Sequence, residues 1–141
     1  MWSETYDERL ATWYRLRETL CLLDIETAVN SVNDWWFRAP ILARYLHWDN
    51  PQAWPDPWTL LADNNYCELA RALGMCYTLM IVDHPAMQDI TLTRTTVGNL
   101  VLVNNGKYIM NWAPGQLLNI DSANITIQQQ VVSDILRQKI G

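Results

Sequence analysis

Apolar residues recur at three- and four-residue steps near the start of the chain, which is the spacing of an amphipathic helix. Thr5 and Glu8 form a capping box that begins the first helix. Its apolar face holds Leu10, Trp13, Leu16 or Arg17, Leu20, and Leu23 or Asp24, and its polar face holds Arg9, Arg15 and Glu18. A second helix is predicted from Asp24 to Phe37, because Pro40 pushes the residue before it out of the helical region.

A proline-rich loop separates these helices from the next one. A short helical turn is predicted from Ile41 to Leu46, and three prolines within residues 47–58 then exclude regular structure. Asp56 followed by Pro57 places an N-cap before a proline at the first helical position. A third helix is therefore predicted to begin at Trp58.

The region around Gly74 is interpreted as the boundary between helices and strands. A helix capped by Asn65 and starting at Tyr66 is predicted to end at Gly74, where a left-handed backbone costs little. Met75 to Val82 is an uninterrupted apolar run of eight residues, a length that favours a buried strand.

Alternation and turn residues predict an antiparallel sheet in the second half of the chain. Asp89 to Thr96 alternates like an edge strand or a half-exposed strand. Asn99 to Val103 and Lys107 to Trp112 flank Asn104-Asn105-Gly106, and Asn-Gly between two apolar runs is a strong hairpin signal. Leu117 to Ile120 is predicted as a short further strand.

A helix ending at Ile140 is expected to close the chain. Its candidate caps are Asp121, Ser122 and Asn124, and its apolar face holds Val131 or Val132, Ile135 and Leu136. The order of elements predicts an α+β fold in which N-terminal helices pack on a small antiparallel β-sheet and a C-terminal helix follows. Residues 1–141 are expected to form a single domain.

Composition excludes several classes of protein. Half of the residues are hydrophobic and 18% are charged, which excludes an intrinsically disordered chain. The net charge is -5 and no run of Lys or Arg is present, so no nucleic-acid partner is expected. The longest apolar stretch is far shorter than the roughly 20 residues that span a bilayer, so no membrane partner is expected. The first residues carry no secretion signal, which favours a cytosolic location.

Charge is also distributed unevenly along the chain. The only charged residues between positions 84 and 133 are Asp89, Arg94, Lys107 and Asp121. A sheet with so few charges has little defence against pairing with another chain at its edges. We therefore expect either helices of the same chain or another subunit to cover it.

Cysteine and histidine counts argue against metal and disulfide chemistry. Cys21, Cys67 and Cys76 show no spacing that predicts a disulfide framework or a zinc site. His47 and His84 are too few for a His-rich metal site. The glycines do not cluster into a phosphate-binding loop, so we expect neither a metal nor a cofactor.

Eight tryptophans are an unusual number for 141 residues. Five of them fall within one window, namely Trp35, Trp36, Trp48, Trp54 and Trp58. A small core can hold only a few side chains that each bury on the order of 200 Å². Because aromatic residues are enriched at the cores of protein interfaces, these five are the candidate interface residues.

A cysteine at the start of a helix is the main chemical signature of the sequence. Cys67–Gly74 reads CELARALG and follows Trp54–Leu61, which reads WPDPWTLL. A thiol at a helix N-terminus has its thiolate stabilised by the dipole and the free N–H groups. This order resembles the transglutaminase-like (papain-like) cysteine fold, especially that of bacterial transglutaminase-like cysteine proteinases. The resemblance implies that Cys67 opens the core helix and that a later hairpin carries the catalytic His and Asp.

The chain departs from that family at the catalytic positions. Asn99 stands where the resemblance places His, and Asn111 stands where it places Asp. Neutral Asn cannot take a proton from a thiol or hold an imidazole in its productive tautomer. Cys67 and Gly74 are also closer together than in the family, by about two helical turns. Cys67, Asn99 and Asn111 are therefore interpreted as relic positions of a lost catalytic site.

The alternative is a cysteine peptidase or amidase of transglutaminase-like type. In that case Cys67 is the nucleophile, and either His47 or His84 is its base.

The stretch of aromatic and proline residues also resembles small virion proteins of tailed bacteriophages. Such chains carry a comparable Trp-Trp … Ala-Pro … Tyr-Leu-His … Trp-Pro-x-Pro-Trp stretch ahead of Tyr-Cys-x-Leu-Ala. The resemblance implies a non-enzymatic structural or assembly protein of the virion, in the connector, tail or baseplate. It would bind other virion proteins in multiple copies and assemble in the host cytoplasm. A further alternative is a host-directed binding module with a single protein partner.

Overall fold

The computed structural model describes residues 2–3, 5–41, 46–63, 66–118 and 125–140. In this part of the chain the fold is α+β, with five α-helices and an antiparallel sheet of five strands. The helices are α1 (Tyr6–Leu20), α2 (Ile25–Trp36), α3 (Pro57–Asp63), α4 (Glu68–Val82) and α5 (Ser133–Ile140), with a 3-10 turn at Pro51–Ala53. The strands are β1 (Ile90–Thr95), β2 (Gly98–Val103), β3 (Tyr108–Ala113), β4 (Gln116–Leu118) and β5 (Ile127–Val132).

Helix α4 lies at the centre of the fold. It packs against the other four helices and against strands β1, β2 and β3. Buried positions run along it from Leu69 to Met80, and Arg71 is the exception. A helix that is apolar on nearly all sides is typical of the middle of a core.

The sheet has the strand order β4-β3-β2-β1-β5, so β4 and β5 form its edges. The face toward α4 contributes its apolar side chains to the main core, and these are Ile90, Leu92, Val101, Val103, Met110 and Val131. The opposite face holds a smaller buried cluster of Leu100, Leu102 and Ile109, against which Ile125 packs. Helices of the same chain therefore cover one face of this low-charge sheet.

The predicted caps of the first two helices are confirmed. The backbone N–H of Glu8 donates to Thr5 Oγ1 at 3.3 Å at the start of α1. Asp24 caps α2 in the same way, and Phe37 is its C-terminal cap. Local side-chain chemistry therefore fixes both helix starts.

The prediction of an exposed Arg9 on α1 is wrong, because this residue is only 2% exposed. Its Nε donates to the carbonyl of Leu61 at 2.8 Å, and its guanidinium also reaches the carbonyl of Ala62 at 3.4 Å. Both carbonyls belong to the last turn of α3, where a helix leaves acceptors without intrahelical partners. Arg9 therefore fastens α1 to the end of α3.

The start of α3 is confirmed, since Asp56 Oδ1 accepts a hydrogen bond from the Thr59 N–H at 2.8 Å. The helix includes Pro57 as its first residue, one position before the predicted start at Trp58. The short turn predicted from Ile41 to Leu46 falls mostly on residues outside the described part of the chain.

The predicted boundary at Gly74 is wrong, because α4 continues through it to Val82. A Cβ atom at Gly74 would lie 2.5 Å from ring atoms of Trp36, so the glycine permits close packing of α2 on α4. The left-handed residue that ends the helix is Asp83, with φ 52°. The apolar run Met75–Val82, predicted as a strand, is therefore helical.

The start of α4 also differs from the prediction. Tyr66 forms an isolated bridge with Ile41, and the helix begins at Glu68 with Cys67 as its N-cap. Asn65, the expected cap, lies outside the described residues.

The predicted last helix is shorter than expected, because Ile127–Val132 form strand β5. Val131, expected on a helical face, lies opposite Leu92 in the antiparallel pair of β5 and β1. The helix begins only at Ser133. Its three predicted caps (Asp121, Ser122 and Asn124) lie outside the described residues.

Strand β1 is present as predicted, although it lies inside the sheet between β2 and β5 and is not an edge strand. The hairpin of β2 and β3 is confirmed. Val101 faces Met110 across the hairpin. Asn104, Asn105 and Gly106 all have positive φ at the turn, a conformation that Asn and Gly tolerate best. The short strand predicted from Leu117 to Ile120 is present as β4, which begins one residue earlier at Gln116, and the residues after Leu118 lie outside the described part of the chain.

Within the described residues, no helix is both long enough and apolar enough to cross a membrane.

Candidate functional site

The N-terminus of α4 meets the hairpin of β2 and β3 at the positions that the resemblance singled out. Cys67 is 6% exposed and caps α4, and its Sγ accepts a hydrogen bond from the Ala70 N–H at 3.4 Å. The thiol therefore takes the place that Ser, Thr, Asp or Asn usually has at a helix start.

Asn99, at the start of β2, faces this helix end. Its backbone N–H donates to Glu68 Oε1 at 2.7 Å, which ties the sheet to the first residue of α4. Its side-chain Oδ1 accepts from the indole N–H of Trp48 at 2.8 Å. The amide at position 99 therefore holds the loop that carries Trp48.

Asn111, on β3, lies behind Asn99. Its Nδ2 donates to the carbonyls of Asn99 at 2.7 Å and Glu68 at 3.2 Å, and its Oδ1 accepts from Arg71 Nε at 2.6 Å. Its own backbone N–H donates to Asn33 Oδ1 at 2.9 Å. The buried side chain thus links β3 to α4 and β2, and the backbone N–H adds a link to α2.

The backbone of Asn111 is left-handed, with φ 68°, inside a strand. The pairing of β3 with β4 is irregular here, between Ile109 and Ala113. Asn tolerates this conformation better than most residues, and bulges redirect side chains in this way. The bulge aims the Asn111 amide into the junction between the sheet and α4.

Arg71 supplies the only cationic side chain of this network. Its guanidinium carbon lies 3.9 Å from the ring centroid of Phe37, a cation–π contact. Burial lowers the pKa of Arg71, and the nearby Glu68 carboxylate acts in the opposite direction. Arg71 remains charged at neutral pH, since its ordinary pKa is far above 7.

A pocket of about 230 Å³ lies beside the thiol. Cys67, Glu68 and Leu69 form one wall, and Leu46, His47, Trp48 and Asp49 form the other, with Arg94 and Asn99 from the sheet. The fold therefore brings Cys67, His47 and Asn99 to one pocket, and it places Asn111 directly behind Asn99.

His84, the other candidate base, lies at the opposite end of α4. A helix of 15 residues is about 22 Å long, so His84 is far out of reach of Cys67. Its Nε2 lies 2.7 Å from the Leu23 carbonyl and its Nδ1 accepts from the Ala86 N–H at 3.0 Å. Both ring nitrogens thus have structural partners, and His84 cannot be the base for Cys67.

Four of the five candidate interface tryptophans are buried, and this corrects their predicted role. Trp35, Trp36, Trp48 and Trp54 are each at most 9% exposed, whereas Trp58 is 42% exposed. Trp35 packs edge-to-face with Trp2 and with Trp36. Trp36 also packs edge-to-face with Tyr66, and Trp48 with Trp54. Of this set, Trp58 alone offers its ring to a partner.

Sequence reasoning missed Asn33 and Arg71 of this site, and it assigned Trp48 to an interface instead. Asn33 and Arg71 complete the network around Asn111, and Trp48 holds Asn99. Arg71 was detectable, because residues four apart share a helix face and Arg71 lies four positions after Cys67. The sequence carries no comparable signal for Asn33, which reaches β3 from a distant helix.

In the part of the chain that the structure describes, no three His, Cys, Asp or Glu side chains group closely enough to hold a metal ion. Comparison of the chain with models of known protein families, with characterised proteins and with solved structures finds no match.

Proposed function

We propose that this chain is a non-catalytic structural or assembly subunit of a tailed-phage virion, built on a degenerate transglutaminase-like core. The observation that carries the proposal is the hydrogen-bonded network at Asn99 and Asn111. Both amides stand where the resemblance places a base and its orienting acid, and both are engaged in holding elements together. In this fold the two amides therefore act as hydrogen-bonding groups that join neighbouring elements.

Two features of the geometry support a transglutaminase-like ancestry. Cys67 caps the central helix, and Asn99 and Asn111 approach that helix end from two neighbouring strands. Helix α4 also continues for eight residues beyond Gly74, which is about two turns. The extension is as long as the difference in spacing, since Cys67 and Gly74 are about two turns closer together than the matching residues of the family that the chain resembles.

Exposed aromatic rings supply the binding surface of the proposed subunit. Trp58 on α3 and Trp112 on β3 are each 42% exposed. Tryptophan is among the residues that contribute most to binding energy at protein interfaces. The partners are other virion proteins, and they would contact these rings and the low-charge sheet.

The test uses particles of the phage that encodes the chain. Peptide mass spectrometry of density-purified particles is expected to find the chain in a fixed copy number. A Cys67→Ala phage is expected to form as many infectious particles as the wild type, whereas a Trp58→Ala, Trp112→Ala phage forms far fewer. Absence of the chain from the particles, or loss of infectivity in the Cys67→Ala phage, contradicts the proposal.

A second candidate function is a cysteine peptidase or amidase, which is favoured by the shared pocket of Cys67 and His47. His47 would take the thiol proton and the thiolate would attack a carbonyl carbon. The amine would then leave with the proton, and water would release the acyl group from sulfur. Each of these steps needs the two side chains in one pocket.

Hydrolysis of fluorogenic peptide amides tests this second candidate. It predicts that Cys67→Ala and His47→Gln each abolish turnover, whereas His84→Gln leaves the turnover per folded molecule unchanged. Equal background rates for the wild type and Cys67→Ala exclude it.

A further inference from the structure

The wall of the pocket that carries His47 belongs to a segment with little regular structure. We define the strap as residues 47–56, which contain one 3-10 turn and join Leu46 to α3. Among the described residues, the backbone–backbone hydrogen bonds of residues 47–55 are internal, for example from the Asn50 N–H to the His47 carbonyl. The strap is therefore held to the rest of the fold by side chains.

An aromatic pair keeps the strap folded on itself. The rings of Trp48 and Trp54 pack edge-to-face with their centroids 5.6 Å apart. The indole N–H of Trp54 donates to the carbonyl of His47 at 2.9 Å, which closes the strap into a loop. These internal contacts allow the segment to move as one body.

Four side chains make the hydrogen bonds that fasten this body to its surroundings, and the rings of Trp48 and Trp54 also pack in the main core. Trp48 donates to Asn99 on β2 at 2.8 Å, and Tyr77 on α4 donates to the carbonyl of Pro55 at 2.6 Å. Gln129 on β5 donates to the carbonyl of Trp48 at 3.5 Å. The fourth fastening is Lys139.

Lys139, in the last turn of α5, makes two contacts with the strap. Its Nζ donates to the carbonyls of Gln52 at 3.2 Å and Trp54 at 3.0 Å. Hydrogen bonds from an ammonium group are stronger than those between neutral groups. Lys139 is the one charged side chain among the four fastenings, and it comes from the C-terminal element of the described fold.

We propose that the strap opens as a unit over the Cys67 pocket and that Lys139 holds it closed. Segments that lack regular hydrogen bonding open at a small fraction of the global free energy of unfolding. Docking of α5 and access to the pocket are thereby coupled. Any contact that draws α5 or its Lys139 away from the strap exposes the pocket without unfolding α4.

Three cysteines in different environments make the opening measurable. Cys21 is exposed and reports the intrinsic rate of an alkylating reagent, and Cys67 faces the strap across the pocket. Cys76 is fully buried within α4, so its labelling requires disruption of the core. Iodoacetamide labelling in native buffer, followed by peptide mass spectrometry, gives the rate at each site.

Lys139→Met is expected to raise the rate at Cys67 about tenfold relative to Cys21, because it removes the charged fastening and keeps the aliphatic stem. Cys76 is expected to stay as slow as in the wild type. Arg137→Met is the matched control, since Arg137 lies exposed on the same helix and is expected to leave the Cys67 rate unchanged. Trp48→Phe provides a second opening variant, because it retains an aromatic ring and removes the donor to Asn99.

Two results would overturn the proposal. One is an unchanged Cys67 rate in Lys139→Met, because the proposal assigns the closing contact to Lys139. The other is a parallel rise at Cys67 and Cys76, which would mean that access requires unfolding of the core.

Discussion

At the scale of single residues, Thr78 is the buried hydroxyl on which three polar groups converge. The indole N–H groups of Trp13 and Trp36 donate to Thr78 Oγ1 at 2.8 and 2.9 Å. The hydroxyl itself donates to the Gly74 carbonyl at 2.8 Å. One side chain therefore satisfies two tryptophans that are almost completely buried.

Thr78→Val is expected to lower the free energy of unfolding by about 3 kcal/mol. Valine has the same shape, but it leaves two buried indole N–H groups without an acceptor, and each such group costs about 1–3 kcal/mol. Thr78→Ser keeps the hydroxyl and is expected to lose far less. Urea unfolding followed by circular dichroism measures both variants, and equal losses for Val and Ser would contradict this role of the hydroxyl.

Gly74→Ala is expected to destabilise the protein by about 2 kcal/mol, although alanine favours helices by about 1 kcal/mol over glycine. The reason is the Trp36 ring, which lies 2.5 Å from the position of the added Cβ. Trp36→Phe in the same chain relieves the contact, so the double variant is expected to lose less than the sum of the two single variants. Strict additivity in the thermal unfolding of the four proteins would show that the ring is not the cause.

The sequence predicted which polar residues lie together better than which aromatic residues are buried. The resemblance selected Cys67, Asn99 and Asn111, and the fold brings the three to one junction. The same sequence placed Trp35 and Trp36 at an interface, yet both rings are buried among neighbouring aromatics, and Trp36 also packs against α4. Aromatic residues are enriched both in cores and at interfaces, so composition alone cannot separate the two locations.

At the scale of elements, the caps of α1, α2 and α3 were predictable, whereas the cap and the identity of the central element α4 were not. Asp24 and Asp56 are close to the backbone groups that they cap, so their signal is local. The run Met75–Val82 is apolar at every position, and such a run has no period that separates a helix from a strand. Packing against four helices and three strands favours the helical form of this run, and those contacts are with residues distant in the sequence.

The boundary between β5 and α5 could not be predicted for a related reason. Gln128, Gln129 and Gln130 are equally compatible with a helix and with the edge of a sheet. Pairing with β1 buries Val131 in the main core, and this burial stabilises the strand over a helix. This stabilisation depends on pairing with Leu92, which is more than 30 residues away in the sequence.

Arg9→Met tests the fastening between α1 and α3. The substitution is expected to cost about 2 kcal/mol, because it removes charge-assisted donors from the last carbonyls of α3. Arg15→Met is the control, since Arg15 lies exposed on the same helix. Hydrogen exchange of α3 is expected to rise in Arg9→Met beyond the change seen in α4. If both variants lost the same free energy of unfolding, the effect would come from the change in net charge and not from the contact with α3.

At the scale of the whole molecule, α4 connects the helices to the sheet. The four other helices pack against it, and so do three strands of the sheet. The polar network of Asn111 adds links from α4 to β2 and β3. A chain arranged around one central helix is expected to unfold as a single cooperative unit.

Hydrogen exchange with mass spectrometry tests this cooperativity. Amides of α4, β1 and β2 are expected to share one free energy of opening, equal to the global value from urea unfolding, because each packs against the same core. The strap and the three-residue edge strand β4 are expected to exchange by local opening at a much lower free energy, since each has few long-range backbone bonds. Low urea separates the two behaviours, because only global opening exposes enough surface to depend steeply on denaturant. If instead the sheet exchanges at low free energy while α4 stays protected, then the helices and the sheet are two units. The Asn111 junction would then be a contact between them rather than part of one core.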